Sequence, residues 1–456
     1  MTQILIKNAN IVSMDQNRSV YVEGSILIEN DKIIEIGKYD DLQPLINSNV
    51  IVEDAKGNWV LPGLINTHVH TSQQLARGIA DDVDLLVWLR DRIWPYESNL
   101  SEEDSYVSSL LCGIEQIRSG VTCFVEAGGQ HVNGMGRAVK ELGIRAALVK
   151  STMDTGIGLP KIWQKNTQEE IDAQIENFEN WHNKENDRIR CWFGLRTIFN
   201  NSDELIIKTK ELADKYEVGI HMHVAEIRDE IEFSKNTRGA ATVTHLNNLG
   251  VLGDNFLAAH CVWMTNKEIE IFQKNNVKVT HNPAAAMKVL GFAEIPQMLE
   301  QGICVSIGTD GAPCNNRMSL IDEMWLTSLI HKGRKLNSKI MPAETVLEMV
   351  TINAAKCALW DKEIGSLEKG KKADLIIIDP KSATMLPMHD PIANLVSSMR
   401  TQNVNSVMCD GNWVMKEGVI KTIDEDLIIK ESIRRSKDII DRADIRIPSR
   451  FNFKSF

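Results

Sequence analysis

Eight short runs of β-forming residues alternate with helical stretches between residues 60 and 310, and this alternation restricts the possible fold more than any other feature. The runs are VLPGLINTHVH (60–70), VTCFVEA (121–127), IRAALVKS (144–151), RIRCWFGLR (188–196), EVGIHMHVAE (217–226), NFLAAHC (255–261), NVKVTHN (276–282) and GICVSIGTD (302–310). Helical segments such as EEDSYVSSLLCGIEQIRSG and NSDELIIKTKELADKYE lie between them. Eight β/α units in order predict an α/β chain folded as a (β/α)8 TIM-type barrel, in preference to an open doubly wound sheet. No glycine-rich phosphate fingerprint follows the first run, which counts against a dinucleotide fold. Such a barrel needs about 250 residues, so the chain of 456 has length to spare.

The surplus is β-rich and lies at both ends. Residues 1–59 read as short strands, with Asn30-Asp31 as a hairpin signal, and the same texture returns in GSLEKGKKADLIIID and NSVMCDGNWVMKEGVI. The expected organisation is a small composite β-sandwich domain from 1–59 and 366–424, a barrel over 60–365, and a C-terminal helix and tail over 425–456. Within that tail, 425–444 has apolar residues at helical spacing and reads as a peripheral amphipathic helix.

Composition narrows the function classes. A net charge of −11 argues against a broad nucleic-acid face, because a polyanion is bound by a basic surface. No apolar run approaches the ~20 residues of a membrane span. The N-terminal MTQILIKNANIVSMDQ lacks the basic flank and apolar core of a signal peptide. The eight cysteines are far apart and contain no Cys-x-x-Cys pair, which excludes a zinc ribbon and disfavours a disulfide scaffold. The expectation is a soluble cytoplasmic protein that binds neither nucleic acid nor membrane.

The chemistry-bearing residues fall at the ends of the runs, where a barrel of this kind carries its active site. His68 and His70 end the first run, His223 the fifth, His260 the sixth, His281 the seventh and Asp310 the eighth. Strand side chains alternate faces, so His68 and His70 point the same way and can reach one metal. His223 and His260 could add imidazole nitrogens, and Asp310 a carboxylate oxygen. Nitrogen and oxygen donors without thiolate suit zinc or iron(II) in a catalytic site. A single barrel histidine is ordinarily a hydrogen-bonded core residue; the set is what carries the argument. His221, two before His223, also points inward, and packing or a contact behind a ligand is its expected role. His131, His182, His245, His331 and His389 read as structural or surface residues. Glu226 follows His223 by three residues, where a carboxylate can take a proton from an activated water and deliver it to a ring nitrogen or leaving group. Asp310 could also accept a proton, and His260 could polarise the atom under attack.

The segments LPGLINTHVHTSQQLARG, HVAE, AAHC, THNPAA, IGTDGAPCNN and KKADLIIID resemble the amidohydrolase superfamily over nearly the whole chain. More narrowly, they are similar to its mononuclear deaminase branch, which includes 5-methylthioadenosine/S-adenosylhomocysteine deaminases and s-triazine hydrolases. The resemblance implies a divalent metal held by His68, His70, His223 and Asp310, with Glu226 and His260 as acid–base and polarising groups. It makes His281 a residue that orients the substrate or stands behind the ligands. Binuclear relatives bridge two ions with a carboxylated lysine on the fourth strand. RIRCWFGLR holds no lysine, and Lys150 ends the third run, so one metal is expected. Zinc is favoured, with iron and manganese as alternatives. The resemblance also implies a homo-oligomer.

The segment after the first run carries Trp88, Trp94 and Tyr96, whose faces suit a planar heterocycle, although Trp88 could equally pack a helix on the barrel. In the methylthioadenosine-type deaminases a glutamate in the frame matching Glu97 binds ribose hydroxyls, so by resemblance Glu97 favours a ribosyl substrate. Where those enzymes carry Gly-Pro-His-Ser-Pro, this chain has Gly194-Leu195-Arg196-Thr197-Ile198. Arg196 donates and cannot accept, so it would meet a carbonyl, a carboxylate or another acceptor on the substrate, or pair with Glu126 or Glu97. Lys150 would add to an electropositive pocket if it faced inward, and Cys123 and Glu126 could line the same site.

The leading expectation is a metal-dependent hydrolytic deaminase of an amino-substituted N-heterocycle, with a 5'-modified adenosine first. An s-triazine or an oxo- or carboxylate-bearing aminated ring follows. Ring opening of the hydantoinase kind is disfavoured by the missing lysine, and a catalytically silent scaffold barrel by the presence of every ligand.

Overall fold

Gly63 divides what reads as one strand into two. The computed structural model describes residues 2–447 and 451; Met1 and, in the expected tail, 448–450 and 452–456 lie outside the described residues. The strands in chain order are β1 (Gln3–Val12), β2 (Val20–Glu29), β3 (Lys32–Gly37), β4 (Ile51–Asp54), β5 (Trp59–Pro62), β6 (Leu64–Val69), β7 (Val121–Glu126), β8 (Arg145–Val149) and β9 (Ile189–Leu195). They continue as β10 (Ile220–Val224), β11 (Phe256–His260), β12 (Lys278–His281), β13 (Val305–Ile307), β14 (Leu375–Ile378), β15 (Val404–Cys409), β16 (Asn412–Lys416) and β17 (Val419–Ile420). β5 joins the terminal sheet and β6 opens the barrel. A Cβ on Gly63 would lie 2.1 Å from the Thr122 hydroxyl, so no other residue fits between the two sheets at this crossing.

The terminal segments build one nine-stranded mixed sheet in the order β17-β16-β15-β14-β5-β1-β2-β3, with β4 also paired to β1. Its two halves come from opposite ends of the chain and meet where β14 runs antiparallel to β5. The β2–β3 turn falls at Asn30-Asp31, with Asn30 at φ 54°. Period-two alternation gives the sheet two buried faces. Ile376 and Ile378 join the barrel core, whereas Leu375 and Ile377 pack with Ile4, Ile6, Ile26 and Ile28.

β6 to β13 form the eight-stranded parallel barrel, each strand beside its sequence neighbour. The seam between β6 and β13 is closed by other means than a ladder. The Thr67 hydroxyl bonds Ile307 O at 3.1 Å, and the N–H groups of Thr309 and Asp310 both donate to His68 O. A Cβ on Gly308 would meet His68 Cβ at 2.7 Å, so this glycine permits the first and eighth strands to close. The closure sets His68 and Asp310 side by side.

Buried charge joins the mixed sheet to the N-terminal end of the barrel. Arg145, at the start of β8 and fully buried, donates from Nε and Nη2 to both carboxylate oxygens of Asp374 and from Nη2 to Asp410. At the other end, the expected amphipathic helix runs over Glu425–Arg442. Ser436 Oγ donates to Leu75 O, and Arg435 and Arg442 both donate to Asp104. Ile439 shares an apolar cluster with Leu75, Trp88 and Tyr96. No helix among the described residues is long and apolar enough to cross a membrane.

Candidate active site

The C-terminal ends of the barrel strands bring five of the singled-out residues into one cluster, with Glu226 at its rim. His68 lies on β6 and His70 one residue beyond it, His223 on β10, His260 at the end of β11, and Asp310 just past β13. His68 Nε2 and His70 Nε2 lie 3.5 and 3.6 Å from Asp310 Oδ1, and His70 Nε2 is 3.2 Å from His223 Nε2. Two nitrogen or oxygen ligands at about 2.1 Å from one tetrahedral ion stand about 3.4 Å apart, so this spacing suits a single cation. His260 Nε2 faces the other oxygen of Asp310 at 3.8 Å and Glu226 Oε1 at 3.7 Å. Two sets of donor atoms, His68/His70/Asp310 and His68/His223/His260, each fall within 4.8 Å.

Three of the imidazoles are oriented from behind. His68 Nδ1 lies 2.9 Å from His221 Nε2, His223 Nδ1 donates to Arg196 O at 2.8 Å, and the Asn282 amide reaches His260 Nδ1 at 3.2 Å. Such contacts fix the tautomer and leave Nε2 facing the centre. In that centre His68 Nε2 and His260 Nε2 are buried without a hydrogen-bond partner. Buried polar atoms rarely stay unpaired, so the donors fit a cation. Ala225, His260, Cys261 and Asp310 hold φ of 51°, 72°, 52° and 63°. Left-handed backbone costs such residues about 1–3 kcal/mol each and is found where a side chain must be aimed.

Electrostatics agree with the geometry. Burial, together with neighbouring positive charge, holds His70, His221 and His223 well below the usual histidine range and brings His260 down to about 3. Burial alone would raise the Asp310 carboxyl, but His68, His260 and His70 outweigh it and hold the group ionised. His70, His223 and His260 are therefore neutral imidazoles beside one carboxylate at neutral pH. Burial pushes Glu226 up to about 8; the charges of Asp310 and Glu230 add to this and Arg196 opposes it.

A cavity opens over the cluster, with Trp88, Trp94, Phe199, Ile227 and Leu290 in its wall and Arg196 beside them. The amidohydrolase family profile matches residues 59–414 of this chain. The chain belongs to the amidohydrolase family. It is 40% identical over 439 residues to the 5'-deoxyadenosine deaminase of Methanobrevibacter smithii, covering 96% of this chain and 98% of that one. It is 36% identical over 449 residues to the 5-methylthioadenosine/S-adenosylhomocysteine deaminase of Thermoanaerobacter pseudethanolicus, covering 96% of this chain and all of that one. Among solved structures, a zinc-bound adenosine deaminase from Xanthomonas campestris has the same fold, with TM-score 0.90 at 24% identity over 96% of this chain and 98% of that one. The zinc complex of atrazine chlorohydrolase from Arthrobacter aurescens superposes with TM-score 0.88 at 22% identity, over 95% of this chain and all of that one.

In this amidohydrolase the expected substrate residues separate into groups. Trp88 lines the cavity and packs in the cluster with Ile439. Arg196 is in the cavity wall, and Glu97 is buried next to it, its Oε2 4.0 Å from Arg196 and its Oε1 accepting from Gln73 Nε2 at 2.8 Å. The other two expected contacts lie outside that wall. Lys150 sits just past the end of β8 and donates to Gln130 Oε1 at 3.0 Å, with the Glu170 charge nearby. His281 lies with its Nε2 3.3 Å from His331 Nε2, a partner with no positional signal in the sequence. Glu126 is fully buried and accepts from the N–H and hydroxyl of Thr71, and Cys123 is buried in the barrel core.

Sequence reasoning passed over the residues that brace the strand ends. Gln73 holds Glu97, and Asn282 contacts His260. Glu323 accepts from the Ala284 N–H and the Asn315 amide, joining the loops after β12 and β13. Glu230 accepts from the N–H groups of Ala225 and Glu226. The residue three before Glu230 is Ile227, so the sequence lacks the hydroxyl or amide that would complete a capping signal there.

Proposed function

We propose that this chain is a metal-dependent hydrolytic deaminase acting on the amino group of a 5'-modified adenosine, such as 5'-deoxyadenosine or 5-methylthioadenosine. The observation that carries the reading is the Glu226 carboxyl, raised to about 8 and set 3.7 Å from His260 Nε2 at the rim of the donor cluster. A group with that pKa can both take and return a proton near neutral pH. Full-length similarity to the Methanobrevibacter and Thermoanaerobacter deaminases supports the adenosine class, and the Trp88, Trp94 and Phe199 faces suit a purine.

His68, His70, His223 and Asp310 would hold the ion, and zinc is the choice that best suits three imidazoles and one carboxylate. When bound, such an ion makes water nucleophilic at neutral pH by lowering its pKa to about 7. The protein's own groups then move the protons. Glu226 takes one from the water and delivers it to the ring nitrogen. Asp310 takes the second and passes it to the amine, which leaves as ammonia. His260 donates a hydrogen bond to the oxygen that adds to the ring. The unbonded thiols of all eight cysteines fit a cytoplasmic enzyme, and the family resemblance favours a homo-oligomer.

Arg196 supports a second reading. Its guanidinium in the cavity wall would favour an aminated ring bearing a carbonyl or carboxylate. The test is ammonia release by zinc-loaded protein from 5'-deoxyadenosine, methylthioadenosine, S-adenosylhomocysteine and amino-s-triazines with and without a ring carbonyl, with Glu226→Gln as control. Turnover of the adenosines that is lost in the control is expected. Turnover of the oxo-rings alone would overturn the adenosine assignment in favour of the second reading.

A further inference from the structure

The chain leaves β10 through a turn that has no side-chain cap of its own. Ala225 stands at φ 51°, Ile227 is the extended residue before the helix Arg228–Arg238, and its apolar side chain caps nothing. Glu230, the third residue of that helix, does so from inside it. The side chain is buried, and its two oxygens are divided between two donors, the Ala225 N–H at 2.8 Å and the Glu226 N–H at 2.7 Å. The carbonyls of the same turn are held from the next loop, Val224 O by the Cys261 N–H at 3.0 Å and Ala225 O by the Trp263 N–H at 2.8 Å. The Glu226 side chain accepts no hydrogen bond among the described residues. Its placement beside His260 is therefore set by where its backbone is fixed.

We propose that Glu230 is a positioning residue for the reaction: by clamping both amides of the Ala225–Glu226 turn, it holds the Glu226 carboxyl at the reacting atoms. The inference rests on the deaminase reading for its effect on rate, while the clamp itself is measurable without any substrate. A carboxylate suits the task because two adjacent N–H donors need two acceptor atoms. An amide offers one acceptor and turns a donor against the second N–H. An aspartate keeps the charge and is one methylene short. Neither change touches the donor cluster, since Glu230 contacts none of His68, His70, His223 or Asp310.

The experiment compares zinc-loaded wild type with Glu230→Gln and Glu230→Asp, measuring metal content, kcat, KM and amide hydrogen exchange over residues 224–230. Residues that orient a catalytic group typically cost about 10- to 100-fold when changed. We expect kcat to fall by that factor in both variants, with KM and metal content unchanged and faster exchange confined to Ala225 and Glu226. A variant that keeps wild-type kcat, or one that loses metal or raises KM in step with the fall in rate, would overturn the proposal and leave Glu230 a structural residue. Should Glu230→Gln not fold, Glu230→Asp carries the same comparison. If wild type releases no ammonia from any substrate, the deaminase reading fails; unaltered exchange at the two amides would separately overturn the clamp.

Discussion

The two ends of the barrel treat buried charge in opposite ways. At the N-terminal end the Nε and Nη2 of Arg145 meet the carboxylates of Asp374 and Asp410 at 2.7–3.0 Å, so charge is paired with opposite charge. At the C-terminal end imidazole nitrogens of His68 and His260 are buried and face a carboxylate with no hydrogen bond to satisfy them. A charge network paired in this way contributes rigidity. An unmatched one is poorly stabilised by the protein alone and is ready for a ligand. The ends differ in what the buried carboxylates meet, a guanidinium at one and imidazoles at the other.

That contrast can be broken most directly at Glu226. Glu226→Gln should lower kcat by about 10²- to 10⁴-fold with no loss of thermal stability; a variant that unfolds earlier would show that this end also supports the fold. At the opposite end, Arg145→Ala strands the buried Asp374 carboxylate, while Asp410 keeps Lys372 at 3.2 Å. Breaking such a pair costs about 3–5 kcal/mol, to be read in a denaturant titration. The surviving folded fraction should keep its kcat, and a fall in kcat would mean the ends are coupled.

A smaller effect lies in Glu126, just beneath the site. Burial pushes it up to about 8 from an ordinary value near 4.5. A carboxyl raised by folding favours the folded state below pH 4.5, and that contribution is lost as pH rises toward 8. Glu126→Gln should therefore flatten the stability profile between those limits and gain on the order of 1–3 kcal/mol relative to wild type at pH 9. A parallel profile in thermal melts from pH 5 to 9 would refute the burial argument. The smallest change is expected at Lys150, whose ammonium bonds Gln130 outside the cavity wall. Lys150→Met should leave kcat/KM unchanged on every substrate, and a selective loss on oxo-rings would bring that lysine back into the pocket.

The legible part of this molecule was the part written in short-range pattern. Alternation marked the eight strands, and residues two apart, such as His68 and His70, were placed on one face by strand geometry alone. The break at Gly63 was hidden because apolar residues continue through it, and only the close approach of Thr122 reveals it. Lys150, one residue past β8, and His281, the last residue of β12, both fall outside the cavity wall, which two-residue periodicity does not reveal. Arg145 and Asp374 are 229 positions apart, and no local signal joins them. The bracing residues Gln73, Asn282 and Glu230 were obscured for a related reason. Each acts on a neighbour's backbone, ring or carboxylate, and a single sequence displays side chains without their targets.

The helix Glu425–Arg442 packs through Ser436 and Ile439 against the segment that follows His70 and against the cluster that includes Trp88. One wall of the cavity is thus backed by residues translated some 350 positions later, as the interval from Trp88 to Ile439 gives 439 − 88 = 351. While the chain is being made, the histidines of β6 are ready long before the wall above them has its support. The packing behind Trp88 is complete only once the helix Glu425–Arg442 is in place.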